Sequence, residues 1–204
     1  VAAADRNNPT ILTMYVTDDM IRGMEQAYGL APFRDFIIPC SLEEVAFISG
    51  TQRDGRNHDV TLYIRKAEQV VVIAKHFYPP GLFRAPSGGL NPGESFERGI
   101  AREVAEECGC EIRLSRFLLR SSVRFTNREH EGDFVRWRSF VFLADYVRGN
   151  FQFTDTHEIR EVRLADWSEF VEFSRIMREN GRGGFLYRAA LHEAVVSIVS
   201  GNRA

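Results

Sequence analysis

The amino-acid sequence predicts one α/β domain whose sheet has mixed strand directions, and three observations support this. Val60, Leu62 and Ile64 alternate with more polar residues, which is typical of a strand with one buried face. The largely apolar run 69–77 is typical of a buried strand. Strand-like and helix-like patterns then alternate without large gaps, as in α/β domains. A chain of 204 residues is long enough to bury a core without disulfides or a structural metal.

The first stretch, residues 1–55, is predicted to be an extension that precedes a domain over residues 56–204. Thr17 is a candidate N-cap for a first helix that Gly29 would end. The sequence from Ser41 to Glu44 is typical of a capping box and opens a second short helix. A dimerisation arm, a lid and a partner site are the roles we consider for this extension.

Three further strands are predicted at 114–125, 134–146 and 158–164, with a polar loop at 126–133 between the first two. Asp166 is predicted to cap a helix that carries Trp167 and Phe170. A last amphipathic helix is predicted at 185–199.

The composition limits the class of protein and its partners. Hydrophobic residues are 44% and charged residues 26%, which argues against a disordered tail or a coiled coil. A net charge of -2 makes nucleic acid an unlikely partner, and no apolar stretch reaches the length of a membrane helix. The three cysteines lack framework spacing and the start lacks a signal-peptide pattern. We therefore expect a soluble cytoplasmic protein.

The specific chemistry lies between Pro86 and Cys110. Glycines and a proline mark 86–93 as a loop whose backbone can approach a ligand closely. From Ser95 the pattern is helical, since apolar residues recur every four positions, and Gly109 would end the helix.

Three glutamates share one face of this predicted helix. With Glu103 at zero, Glu106 falls near about 300° and Glu107 near about 40°, at the seam of the apolar face, so we expect Glu107 to be half-buried. Crowded carboxylates repel one another, whereas a hard cation such as Mg²⁺ would bind them. The alternative is a solvated acidic face paired with Arg98 and Arg102.

The spacing of Gly88, Glu94 and the run from Arg102 to Cys110 resembles the Nudix box of the Nudix hydrolases. Cys110 is the one departure, because the family prefers a larger aliphatic residue there. The resemblance implies an α/β/α sandwich with a mixed sheet. It also implies Mg²⁺- or Mn²⁺-dependent hydrolysis of a nucleoside diphosphate linked to another group.

The resemblance also implies roles for individual residues. Glu103 and Glu107 would be the main metal ligands, and Glu106 a third ligand or the group that acts on the attacking water. A backbone carbonyl at Ser87 or Gly88 would add a ligand. The remaining box residues would bind substrate along the loop, at Gly88 and Gly89, or hold the loop and helix together, at Glu94, Arg102 and Gly109.

The general base could belong to the box or to a later loop. Glu158 is our first candidate outside the box, because it precedes a predicted strand; Glu129 and Glu131 are its rivals. A surface acid is the alternative for each of them.

Among the arginines, Arg84 at the mouth of the loop is the candidate for binding phosphate. For Arg124, Arg136 and Arg138 a solvated strand face is the commoner explanation.

The substrate is left open by the sequence. The chain has no proline after Pro92, so it lacks the downstream prolines of family members that select ADP-ribose or NADH. A nucleoside diphosphate or triphosphate derivative is the default, and a nucleotide sugar is the alternative. A catalytically silent nucleotide sensor and a prenyl diphosphate isomerase using Cys40 are the other functions considered. A homodimer is the expected assembly.

Overall fold

A computed structural model describes residues 15–52 and 55–201. These form five helices and seven strands. In chain order they are α1 (Asp18–Tyr28), β1 (Phe33–Cys40), α2 (Leu42–Thr51), β2 (His58–Lys66), β3 (Gln69–Lys75), β4 (Ser87–Gly88), α3 (Phe96–Cys108), β5 (Cys110–Asn127), β6 (Phe134–Gly149), β7 (Ile159–Asp166), α4 (Glu169–Asn180) and α5 (Gly183–Gly201).

The strands of the described residues make one sheet in the order β1-β5-β6-β2-β3-β7, with β4 paired to β2. β1 is parallel to β5 and β2 is parallel to β6, whereas the other pairings are antiparallel. The predicted mixed sheet is therefore confirmed.

Helices cover both faces of the sheet. Along β3, Val70 and Val72 join a hydrophobic cluster with residues of α4 and α5. The intervening Val71 and Ile73 join a second cluster with residues of α1 and α3. Because successive side chains of a strand point to opposite faces, the apolar run of β3 is buried on both sides. The α/β/α sandwich is confirmed.

Local signals in the sequence predicted several helix ends correctly. Thr17 accepts a hydrogen bond from the Met20 amide, and the capping box at Ser41 is fully formed. Asp166, however, does not cap α4. It is the last residue of β7, and its amide donates to the side chain of Glu169, the first residue of that helix.

The segment before residue 55 contributes to the same sheet. β1, which the sequence did not predict, pairs with β5 over eight residues, from Phe33 opposite Arg120 to Cys40 opposite Asn127. The domain boundary at residue 55 stays a prediction. In the parts of the chain that the structure describes, no helix is long and apolar enough to cross a membrane.

Candidate active site

The helix α3 is fixed at both ends and along its apolar face. Ser95 caps its start by accepting from the Arg98 amide, and Gly109 ends it in the left-handed conformation at φ 60°. Gly109 has no room for a side chain, because a Cβ there would stand 2.3 Å from the Gln152 carbonyl oxygen. The apolar face lies in the core, so the opposite, acidic face meets the loop 86–93.

An ion pair joins that loop to the helix, as expected for Glu94 and Arg102. The Arg102 guanidinium donates to the two Glu94 oxygens at 3.1 and 2.9 Å and to the Gly89 carbonyl at 2.9 Å. The hydrogen bond from Arg102 lowers the pKa of Glu94, so the pair stays charged at neutral pH. The third guanidinium nitrogen, Nη1, contacts Glu103 at 2.9 Å and Glu106 at 3.3 Å.

Two of the three glutamates reach the backbone of the box loop. Glu103 accepts from the Gly89 amide at 3.2 Å, and Glu107 accepts from the Ser87 amide at 3.1 Å. Glu106 lies outside them with about half of its side chain exposed, at 49%. The acidic face is thus held against residues 87–89.

Glu107 is more deeply placed than the half-buried position expected for it. Its exposed fraction is 4%, because its side chain lies under the loop and bonds to Ser87. Burial raises the pKa of Glu107, while the nearby cations Arg84 and Lys75 oppose that shift. A further cation bound next to Glu107 would stabilise its ionised form.

The side chains do not converge on one point in this arrangement. Over residues 15–52 and 55–201, no three or more His, Cys, Asp or Glu side chains are grouped closely enough to hold a metal ion. The guanidinium of Arg102 bridges Glu103 and Glu106 instead.

Behind the box, a buried arginine and a partly buried one meet at the Ser87 hydroxyl. Arg84 and Arg188 each donate to this oxygen at 2.8 Å. Arg84 also donates to the Tyr78 hydroxyl at 2.7 Å and lies 3.6 Å from the Glu107 carboxylate. Arg84, the predicted phosphate ligand, therefore already uses its guanidinium nitrogens in contacts with Tyr78, Ser87 and Glu107.

Arg188 belongs to a network that sequence reasoning missed. It pairs with the buried Asp59 at 2.8 Å and donates to Thr61 at 2.8 Å, while the Tyr187 hydroxyl also donates to Asp59 at 2.8 Å. These residues lie on β2 and α5, more than 120 positions apart, so no local pattern links them. The local signal is weak: Asp59 and Arg188 are charged residues within largely apolar segments of β2 and α5.

Glu158 lies at the start of β7 and pairs with Lys75 at the end of β3. This hydrogen bond lowers the pKa of Glu158. The charge of Lys75 also opposes the rise in the pKa of Glu107. Glu129 and Glu131 lie in the exposed turn between β5 and β6.

The three other candidate arginines, Arg124, Arg136 and Arg138, contact residues outside the box. Arg124 and Arg136 each lie 5.5 Å from the ring centre of Phe134, and Arg138 donates to the Val16 carbonyl at 2.9 Å. Arg124 and Arg136 are exposed, as expected for a solvated strand face, whereas Arg138 is partly buried and does not fit that explanation.

Comparison with known proteins identifies the family. The family model of the NUDIX domain matches residues 55–188. The chain belongs to the Nudix family. This Nudix match begins after β1 and α2, so both elements lie outside the part that the family model describes.

Curated relatives match over part of their length. The NAD-capped RNA hydrolase NudC of Photorhabdus laumondii is 25% identical over 117 residues, which are 57% of this chain and 40% of that protein. The NudC of Mannheimia succiniciproducens is 26% identical over 118 residues, 55% of this chain and 39% of the relative. The chain spans about two fifths of the length of the curated relatives it matches.

Solved structures of similar fold include a NUDIX hydrolase from Nitrosomonas europaea, at 18% identity and a TM-score of 0.45. The alignment covers 59% of this chain and 79% of the chain in that structure. A UDP-X diphosphatase aligns at 15% identity and a TM-score of 0.42, covering 68% of this chain and 73% of its own.

Proposed function

We propose that this Nudix protein is a Mg²⁺- or Mn²⁺-dependent pyrophosphohydrolase that acts on a nucleoside diphosphate linked to another group. One observation carries the proposal. Glu103 and Glu107, one helical turn apart, both bond to the backbone of residues 87–89, with Glu106 beside them. The box therefore gathers three carboxylates beside residues 87–89 of the loop.

The residue types fit a hard divalent cation. Carboxylate and carbonyl oxygens are the ligands that Mg²⁺ prefers. The absence of a side chain at Gly88 lets the Glu103 carboxylate lie against the loop, since a Cβ there would stand 1.9 Å from the Glu103 carboxyl carbon. Glu103, Glu106, Glu107 and a carbonyl of Ser87 or Gly88 would hold the ion. When bound, it supplies neutralisation of the diphosphate oxygens and activation of water.

The chain's own residues would position and deprotonate the water. Glu106 is the most exposed of the three glutamates on the acidic face, and a ligand would have to compete with its ion pair to Arg102 at 3.3 Å. Glu158 is the candidate outside the box; its lowered pKa makes it an ionised acceptor, and its pairing with Lys75 weakens it as a base. A phosphate that drew Lys75 away would restore the basicity of Glu158.

The names of the curated relatives support a nucleotide-type substrate, since NudC is named for hydrolysis of NAD-capped RNA. The isomerase alternative is weakened by Cys40, because burial and the nearby Glu44 raise the pKa of this thiol to about 12. A thiol that stays protonated is a poor nucleophile. We keep the homodimer as a prediction, which light scattering on the purified protein tests.

The test measures hydrolysis of nucleotides, nucleotide sugars and dinucleotides, with Mg²⁺ and with chelator, alongside Mn²⁺ binding by electron paramagnetic resonance. Glu106→Gln and Glu107→Gln should each lower kcat by about 10²-fold or more. Glu97→Gln, an exposed change on the same helix, is the matched control. Metal binding without turnover of any compound would favour the nucleotide sensor, and wild-type rates in both variants would contradict the proposal.

A further inference from the structure

A cleft of about 820 Å³ opens beside the box, between α2, the end of β3 with the turn after it, and the junction of α4 and α5. Its volume lies within the range of small-molecule sites, about 300–1,000 Å³. The hydrogen bond from the Gly183 amide to Glu44, at 2.7 Å, ties α5 to α2 and so joins two of its walls.

The lining of the cleft is positively charged. Five cationic side chains and two acidic ones face it. One of the acids, Glu44, is engaged by the backbone amides of Ser41 and Gly183 at 2.9 and 2.7 Å. Lys75, Arg84 and Arg188 are paired with Glu158, Glu107 and Asp59, so Arg128 and Arg182 carry the positive charge that suits an anionic ligand.

Aromatic rings form the outer part of the same cleft. Phe47 on α2 is 75% exposed and Phe77 after β3 is 66% exposed. Phe77 packs edge-on against Tyr78 at 4.9 Å between ring centres, and Tyr78 packs against Phe185 at 5.3 Å. Exposed phenyl rings beside cations offer faces on which a planar ring can stack.

The inner end of the cleft reaches the box. Arg84, in the wall, lies 3.6 Å from the Glu107 carboxylate, and Lys75, also in the wall, pairs with Glu158. A diphosphate held at the glutamates would thus have its attached group directed along the cleft, past the two cations toward the aromatic rings.

We propose that this cleft binds the aromatic base of the nucleotide substrate, with the base stacked against Phe47 and Phe77 and the phosphates leading back past Arg84 and Lys75. The proposal rests on the proposed function and adds where the nucleoside lies. Because α2 precedes the residues that the family model matches, this wall belongs to the chain's own N-terminal segment.

The experiment measures binding of nucleoside monophosphates by calorimetry in the presence of chelator, so that no turnover is needed. AMP, GMP, CMP and UMP are compared with ribose 5-phosphate, which keeps the phosphate and lacks the base. Phe47→Ala and Phe77→Ala are the variants. Phe33→Ala, an exposed phenylalanine on β1 outside the cleft, is the matched control.

We expect at least one nucleotide to bind about tenfold more tightly than ribose 5-phosphate, and each variant to remove most of that difference. The Phe33→Ala protein should bind like the wild type. Equal affinity for ribose 5-phosphate and all four nucleotides, or binding unchanged by both variants, overturns the proposal.

The two proposals fail in different ways. Metal-dependent hydrolysis with a KM that neither phenylalanine variant changes would retain the hydrolase and reject the base site. Base-dependent binding that both variants weaken, in a protein that hydrolyses nothing in the panel, would retain the base site and reject the hydrolase.

Discussion

Gly88 and Glu103 are in direct contact: a Cβ at Gly88 would stand 1.9 Å from the carboxyl carbon of Glu103 and 2.1 Å from one of its oxygens. The Glu103 carboxylate therefore packs against the loop in the space that a side chain at Gly88 would occupy. Glu103 is held in that place from two sides, by the Gly89 amide and by Arg102.

Gly88→Ala should displace the Glu103 carboxylate and lower activity by about tenfold or more, because a misplaced ligand weakens metal binding. Stability should fall by about 1–3 kcal/mol, the usual cost of overpacking. Mn²⁺ affinity and urea unfolding check both effects. The control is Gly132→Ala, where a Cβ meets nothing within 4 Å. Equal Mn²⁺ affinity in the Gly88→Ala and wild-type proteins would contradict the reasoning.

Arg102→Lys should loosen the loop although it keeps the positive charge. Arg102 bonds to Glu94 with two nitrogens and to the Gly89 carbonyl, and a lysine offers a single nitrogen in place of this planar fork. We expect a loss of about 1–3 kcal/mol in the free energy of unfolding. Arg175→Lys, on an exposed arginine paired with Glu172, is the control. Equal losses in the free energy of unfolding for Arg102→Lys and Arg175→Lys would contradict this prediction.

The box was predictable because its signals are local. Caps, the four-residue apolar repeat and the ending glycine all lie within 25 positions of one another, so the sequence placed α3 and its acidic face correctly. The depth of Glu107 was not predictable, since it depends on where the loop folds over the helix.

The missed elements depend on distant partners. In β1 the buried residues are Ile38 and Cys40, and Pro39 between them favours neither strand nor helix. Its strand conformation comes from pairing with β5, about 87 positions later. The Asp59–Arg188 pair likewise exists only once α5 has packed on the sheet.

Arg188→Leu should be strongly destabilising, because it removes the cation paired with the buried Asp59 and leaves the Tyr187 hydroxyl donating to an unneutralised carboxylate. Removing one member of a buried pair costs about 3–5 kcal/mol. Adding Asp59→Asn should recover part of that loss, since it removes the unpaired charge. Arg178→Leu, in the exposed pair with Glu193, should cost about 1 kcal/mol or less. Urea unfolding of the four proteins decides; a double variant no more stable than Arg188→Leu would contradict the pairing argument.

His192 should make the protein less stable in acid. It is fully buried against Tyr63 and Phe170, and burial, with help from Arg188 and Arg84, lowers its pKa to about 3. The unfolded chain takes up a proton below its usual pKa of about 6.5, whereas the folded protein does not, so stability falls as the pH drops from about 6.5 toward 3.

His192→Leu should flatten this pH dependence, because the substitution removes the group that only the unfolded chain protonates. The loss avoided is about 1.4 kcal/mol for each pH unit below 6.5. Urea unfolding at about pH 7 and about pH 5 measures the two slopes. Burial also lowers the pKa of His58, to about 4, so some dependence persists in the variant. His130→Leu, in the exposed turn after β5, is the matched control substitution. An unchanged slope in His192→Leu would mean that His192 is protonated in the folded protein as readily as in the unfolded chain.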